Sequence, residues 1–270
     1  MSQRIADCFE TAKNAGRKVL IPFITAGDPD PGGTVAVMHA LADAGADLIE
    51  LGVPFSDPMA DGPVIQLASE RAIEKGVDLD RVLKMVEDFR QTDTTTPVVL
   101  MGYMNPIERY GVKVFPVNAV DAGVDGLLLV DCPPAQRGIL GEAMKETGLD
   151  GICLIAPTTT RERVEEIARV ASGFIYYVSL KGITGSGQLD APELSEPISQ
   201  IREFSDLPVA VGFGIKNAEM AVSVAVSADA VVIGSALVEA LSVAEDRADA
   251  CAIATAFVAP VRESLDNMAR

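Results

Sequence analysis

The sequence has few of the residues that would hold a metal, a disulfide framework or a nucleic acid. Its 270 residues include one histidine, His39, set in the helical stretch Val35-Ala36-Val37-Met38-His39-Ala40-Leu41. No second imidazole exists to complete a metal site, so His39 reads as structural and no metal is expected. Four cysteines, Cys8, Cys132, Cys153 and Cys251, lie far apart without a C-x-x-C pair, three of them among apolar neighbours; they read as reduced, mostly buried thiols. Positive charge is scarce: 39 Asp and Glu against 22 Lys and Arg leave a net charge of −17. That field repels phosphodiester backbones and anionic lipid headgroups, which argues against nucleic-acid and membrane-surface binding. Long apolar runs are missing too. The stretch from Val124 to Val130 is broken by Asp125 and falls well short of the roughly 20 residues that span a bilayer. The opening Met1-Ser2-Gln3-Arg4-Ile5-Ala6-Asp7-Cys8 alternates polar and apolar residues, unlike a secretory signal. A cytoplasmic protein is expected.

What is present is a regular alternation. Apolar runs of strand length recur from Val19 to Thr25, Leu48 to Leu51, Val98 to Met101, Gly126 to Val130, Gly151 to Ile155, Phe174 to Val178, Val209 to Val211 and Ala230 to Ile233. Each is followed by turn residues and a segment with helical spacing, which predicts a parallel sheet covered by helices. Eight near-continuous apolar strands in a chain of this length fit a single α/β domain, residues 1–270, folded as a (β/α)8 barrel, better than an open doubly wound sheet. An extra helix, about Ser2 to Asn14, precedes the first strand and is placed to plug the barrel bottom. The stretch from Ala244 to Asn267 reads as the closing helix, with Pro260 expected to kink or break it, and Pro116 falls inside the expected third helix. A phrase of glycine, apolar residue and aspartate recurs at Gly45-Ala46-Asp47, Gly123-Val124-Asp125 and Gly148-Leu149-Asp150, with Ala228-Asp229 a looser relative. These read as helix C-caps leading into buried strands, at the end of the barrel that carries stability.

Chemistry belongs at the other end, where apolar strands stop at polar residues. In Leu48-Ile49-Glu50-Leu51, period-two alternation puts Glu50 on the face of Leu48. If that face is the barrel interior, desolvation raises the carboxyl pKa toward the range useful for proton transfer; the other reading is a glutamate satisfied by loop N–H groups or an ion pair. Asp57 and Asp61 follow on a loop stiffened by Pro54, Pro58 and Pro63, each able to cap a turn or helix on its own account. Three glycines in Lys181-Gly182-Ile183-Thr184-Gly185-Ser186-Gly187 suit either a closing loop or a loose connection. The consecutive turns Gly212-Phe213-Gly214-Ile215 and Gly234-Ser235-Ala236 suit phosphate binding through backbone N–H groups. Lys216, nearby, reads as solvated.

Together these phrases resemble the α subunit of tryptophan synthase. The resemblance is carried by Pro22-Phe23-Ile24-Thr25-Ala26-Gly27-Asp28-Pro29, by Glu50 to Pro58 with Ala60-Asp61-Gly62-Pro63, by Met101-Gly102-Tyr103-Met104-Asn105-Pro106, by Gly182-Ile183-Thr184-Gly185 and by Gly212-Phe213-Gly214-Ile215. It implies retro-aldol cleavage of indole-3-glycerol phosphate to indole and glyceraldehyde 3-phosphate. Glu50 would be the acid/base and Asp61 the group that holds the indole N–H. Phe23, Tyr103, Tyr176, Thr184 and Phe213 would line the substrate site, although core packing is an equal reading for the aromatics. Gly185, Gly214, Gly234 and Ser235 would bind the phosphate. The resemblance also implies no cofactor in this chain, and a β subunit carrying pyridoxal phosphate as partner in an α2β2 heterotetramer. Asp57, Asn105 and Pro106 would face that partner. Leu180-Lys181 departs from the small or hydroxyl residue common in the family. Two rivals stand beside this reading. One is another phosphate-binding barrel, such as an isomerase or the synthase that makes indole-3-glycerol phosphate; the synthase would want a lysine on a strand end, and no strand end carries one directly. The other is a non-catalytic subunit kept to activate a β subunit, against which the carboxylates at 50 and 61 argue.

Overall fold

Strand and helix alternate along the chain because apolar β-branched runs and amphipathic segments alternate in the sequence. The computed structural model describes residues 2–178, 191–212 and 214–268, with backbone alone for 191–193. Its eight strands are β1 (Val19–Thr25), β2 (Ile49–Gly52), β3 (Val98–Gly102), β4 (Gly126–Leu129), β5 (Asp150–Ile155), β6 (Ile175–Val178), β7 (Val209–Gly212) and β8 (Ala230–Ile233). All neighbours are parallel, and β8 pairs with β1 to close the barrel in sequence order. The expected (β/α)8 barrel with its extra N-terminal helix is therefore the observed architecture.

Helices cover the outside. They are α1 (Gln3–Asn14), α2 (Thr34–Asp43), α3 (Pro63–Glu74), α4 (Leu79–Arg90), α5 (Met104–Tyr110), α6 (Phe115–Ala122), α7 (Gly138–Thr147), α8 (Arg161–Val170), α9 (Ala191–Arg202), α10 (Ala218–Ala225), α11 (Ser235–Leu241) and α12 (Arg247–Asn267). The expected interruption at Pro116 and the expected break at Pro260 are corrected. Pro116 lies in the first turn of α6, where its missing N–H has no intrahelical acceptor to lose, so it starts a helix instead of interrupting one. Pro260 sits inside α12, which runs unbroken from Arg247 to Asn267; flanking turns carry the helix past the one bond a proline removes.

Strand alternation sorts side chains into two cores. Leu20, Ile24, Ile49, Leu51, Leu100 and Tyr177 pack outward under the helices. Val19, Ile21, Leu48, Val99, Leu128, Ile152, Tyr176 and Val232 fill the barrel interior together with Ile5, Phe9 and Ala12 of α1. The N-terminal helix thus plugs the bottom, with the Phe9 and Phe174 rings 5.6 Å apart. Burying Ile5 and Phe9 contributes about 1.5–3 kcal/mol for each side chain.

The repeated glycine–aspartate turns line that bottom end. Gly45, Gly123 and Gly148 adopt φ of 100°, 94° and 78°, the left-handed region that a C-cap needs. Each aspartate then ties the start of a strand. Asp47 accepts from Leu20 N at 2.8 Å, Asp125 from Val98 N at 2.9 Å and Asp229 from Val209 N at 2.9 Å. An arginine neutralises each of these three: Arg262 for Asp47, Arg90 and Arg4 for Asp125, and Arg202 for Asp229; Asp150, after Gly148, instead accepts from Ser2 N at 2.8 Å. The glycines have a second use, because a Cβ at Gly45 or Gly123 would lie 2.6 Å from the stem of Arg262 or Arg90.

Candidate active site

The mouth of the barrel lacks that compensation. Glu50 stands next to Phe23 of β1 and Val99 of β3 in register and, by alternation with Leu48, faces the interior. It is 2% exposed, and its Oε1 is buried without a hydrogen-bond partner. No ion pair to Glu50 exists among the described residues. Burial, and then the negative charge of Asp61, push its carboxyl up to about 8. Its neutral form is thereby the stable one at neutral pH.

Asp61 comes from the loop between β2 and α3. The Tyr103 hydroxyl donates to Asp61 Oδ2 at 2.9 Å and accepts from Ala60 N at 3.0 Å, while Gln66 Nε2 holds the Asp61 carbonyl at 2.8 Å. Burial raises the Asp61 carboxyl above its ordinary range, and the Tyr103 bond opposes the rise. Because the Asp61 charge is one of the two causes acting on Glu50, an ionised Asp61 favours the protonated form of Glu50.

Aromatic residues close the cavity. Phe23, Thr25, Gly52, Asp61, Ile65, Met101 and Tyr103 are among the residues lining it. A Cβ at Gly52 would lie 2.6 Å from Phe23 Cζ, and one at Gly234 would lie 3.6 Å from Phe23 Cβ. The Phe23 ring therefore reaches from the β8 turn to the end of the Glu50 strand. Tyr176 points inward and Tyr177 outward, as alternation requires. Glu50's charge helps burial push the Tyr176 phenol well above its ordinary range, which places the hydroxyl within the electrostatic reach of Glu50. A side chain at Gly212 would overlap that hydroxyl.

The two glycine turns stand side by side after β7 and β8. Gly214 has φ of 77°, a conformation glycine reaches without strain. Gly234 precedes α11, accepting from Leu237 N at 2.9 Å, and Ser235 begins that helix exposed. Thr184, Gly185 and Phe213 lie outside the described residues, as do Leu180-Lys181 and the rest of the glycine loop at 179–190. Asp57 and Asn105 are exposed and Pro106 is half-buried. Asn105 and Pro106 line a surface cleft with Pro54, Phe55, Arg109 and Tyr110, and Asp57 follows Ser56 on its rim. Among the described residues no group of three or more His, Cys, Asp or Glu side chains is arranged to hold a metal, and no helix is long and apolar enough to cross a membrane.

Three features of this region escaped the sequence reading. Thr25 Oγ1 is buried without a partner at the edge of the cavity; its signal was a hydroxyl ending an apolar strand. Gly52 and Gly212 make room for rings from other strands, which leaves no local mark. Met59, 83% exposed on the loop between Asp57 and Asp61, is an apolar tip among prolines and carboxylates, a pattern visible in sequence.

A closed parallel barrel with a desolvated glutamic acid, an aspartate whose charge acts on it and two glycine turns at one mouth has the arrangement of a barrel enzyme. A sequence model of the tryptophan synthase alpha chain family matches residues 9–266. The tryptophan synthase alpha chain of Burkholderia lata is 56% identical over 264 residues, covering 98% of this chain and 97% of its own. That of Dechloromonas aromatica is 54% identical over 267 residues, covering 98% of each. Among solved structures, the alpha subunit from Legionella pneumophila superposes with a TM-score of 0.91 at 47% identity over 99% of both chains. Tryptophan synthase from M. tuberculosis does so with a TM-score of 0.87 at 33% identity over 97% of this chain and 98% of that one. The chain belongs to the tryptophan synthase alpha chain family, whose reaction is the lyase half-reaction that cleaves indole-3-glycerol phosphate in tryptophan biosynthesis.

Proposed function

We propose that Glu50 is the proton donor and acceptor of the retro-aldol cleavage in this chain, with Asp61 as its electrostatic partner. Breaking the bond between indole C3 and the side chain needs a proton on C3 and removal of the proton from the adjacent side-chain hydroxyl. The C3 proton comes from neutral Glu50, and the positive charge then resides on the ring nitrogen, where Asp61 accepts the indole N–H. The carboxylate left at Glu50 takes the hydroxyl proton as the C–C bond breaks, its electrons return to the indole ring, and the aldehyde forms. Glu50 is regenerated as the acid, so one carboxyl serves both transfers. The observation that carries this reading is the buried Glu50 carboxyl, its Oε1 without a partner, pushed up to about 8.

The same proposal assigns Phe23, Tyr103, Tyr176, Thr184 and Phe213 to the indole and side chain, and Gly185, Gly214, Gly234 and Ser235 to the phosphate. The chain uses no cofactor of its own and works in the cytoplasm as one barrel domain. Its partner is a β subunit carrying pyridoxal phosphate, in an α2β2 assembly, received on the face of Asp57, Asn105 and Pro106. Exposed Met59 on the adjoining loop supports that face, since a large apolar tip gains from being covered. The test is indole release from indole-3-glycerol phosphate by the purified chain, with and without a β subunit. Slow release that rises with the partner is expected. No release in either condition would leave a non-catalytic barrel and overturn the assignment.

A further inference from the structure

On the outer side of β5, far from the mouth chemistry, α7, the start of β5 and the end of α8 enclose a crevice of about 400 Å3. Arg137 lies in it, 9% exposed. Its Nη2 donates to the Ile152 carbonyl at 2.8 Å, and its Nε is buried with no partner. The two other deeply buried guanidiniums are neutralised: Arg262 pairs with Asp47 at 2.8 Å and Asp266 at 2.6 Å, and Arg90 with Asp125 at 2.8 Å. Arg137 has no carboxylate within ion-pair distance among the described residues. Two carboxylates do line the crevice, Glu142 and Asp150. Asp150 is engaged by Ser2 N at 2.8 Å and Glu142 is exposed on α7. Two thiols meet the guanidinium, Cys153 through a hydrogen bond and Cys132 through its charge; both are raised by burial and supply no negative charge.

A buried charge without a counter-charge is unfavourable unless something completes it. The walls leave room. Gly138, Gly141, Gly148 and Gly151 line the crevice, and a Cβ at Gly138 or Gly148 would meet nothing within 4 Å. Gly151 is needed for the arginine itself, since a Cβ there would lie 2.6 Å from Nη1. Lys145 adds a second cation to the lining.

We propose that this crevice binds a compact oxyanion, a phosphate, sulfate or carboxylate group, on the Arg137 guanidinium, at a site separate from the barrel mouth. Charge-assisted donation from the guanidinium would hold such a group, and the bare glycine walls let it approach the backbone.

Calorimetric titration of the purified chain with inorganic phosphate, sulfate and acetate at fixed ionic strength tests this. The Gly234→Asp background closes the mouth phosphate position by like charge and leaves the crevice untouched. One phosphate site is expected to remain in that background. Arg137→Met should weaken it at least roughly tenfold, as loss of a charge-assisted pair requires. Arg137→Lys keeps a charge but no fork and should fall between, giving a readout if the methionine variant does not fold. Crystals soaked in selenate should show the anion against Arg137. Relative affinities for phosphate, sulfate and acetate tell which oxyanion fits. Absence of phosphate binding in the Gly234→Asp chain, or equal affinity in the Arg137 variants, would overturn the proposal. So would binding that appears only in Glu142→Gln, which would make Glu142 the internal counter-ion.

Discussion

Replacing Glu50 with glutamine should abolish turnover and, above pH 6, stabilise the fold. The reasoning is linkage. Unfolded, the carboxyl titrates near its ordinary value of 4.5; folded, burial and Asp61 push it up to about 8. The native state therefore holds a proton that the unfolded state has released, so raising the pH from 4.5 to 8 favours unfolding. Each unit of difference corresponds to about 1.36 kcal/mol. Integrated over the titration, the penalty is about 1 kcal/mol at pH 5, about 3 at pH 7 and about 4 at pH 8. Other buried carboxyls, Asp47, Asp61 and Asp150, carry raised values of the same sign, but they are common to both proteins and largely cancel in the comparison. Glutamine has nearly the same shape and does not titrate. Urea unfolding of both proteins at pH 5, 6, 7 and 8 should thus show the variant gaining about 3 kcal/mol on the wild type between the first and last conditions. In parallel, indole formation should fall at least about 100-fold, the lower end for a lost general acid/base, and wild-type turnover should decline as pH rises through 8. Parallel stability curves would refute the desolvated carboxyl, and near-normal turnover would refute its role.

Gly234→Asp should raise KM on the order of 100-fold, since placing like charges together costs several kcal/mol. The fold should tolerate it, because a Cβ there meets Phe23 at an ordinary 3.6 Å; an unchanged KM would move the phosphate elsewhere. Gly212→Ala overlaps the Tyr176 hydroxyl and should cost about 1–3 kcal/mol together with a fall in kcat, while retained kcat would remove Tyr176 from the site. Asp125→Ala deprives Ser2, Arg4, Arg90 and Val98 of one acceptor and strands a buried guanidinium, at a cost of about 3–5 kcal/mol. Its urea midpoint should fall with kcat intact in the folded fraction; a loss below about 1 kcal/mol would show the bottom network to be worth no more than surface pairs.

Much of this was legible along the chain. Period two placed Glu50 with Leu48, and told Tyr176 from Tyr177, because strand geometry fixes the face of each side chain once one neighbour is known to be interior. The strand centres were legible for the same reason, as were the left-handed caps at Gly45, Gly123 and Gly148. What stayed hidden depends on residues distant in sequence. Asp47 read as a turn residue, and its arginine lies 215 positions away at Arg262. Gly52 and Gly212 carry no local signature because the rings they admit belong to β1 and β6. The interruption at Pro116 and a break at Pro260 were misjudged because a proline's effect depends on its place in the helix and on what packs around it, and helix limits are the least local part of the pattern.

The two ends of the barrel treat the same chemical group in opposite ways, and that contrast locates the chemistry. At the bottom, Asp47, Asp125 and Asp229 each receive a backbone N–H and an arginine, so the carboxylates have partners of the right sign and hold strands in place, even where burial still raises one of them, Asp47. At the mouth, Glu50 is at least as buried yet its Oε1 has no partner, and the one charge that acts on it, Asp61, has the wrong sign for stability. A fold selected for stability alone would fill that position with a leucine or supply a cation. Keeping an acid there destabilises the native state by the amount the pH series measures, and under the proposed role of Glu50 the same energy would hold the proton that C3 of the indole requires. Stability lost at Glu50 and acidity retained there are one quantity observed in two assays, so a variant that recovers the first without losing the second would break the argument for both.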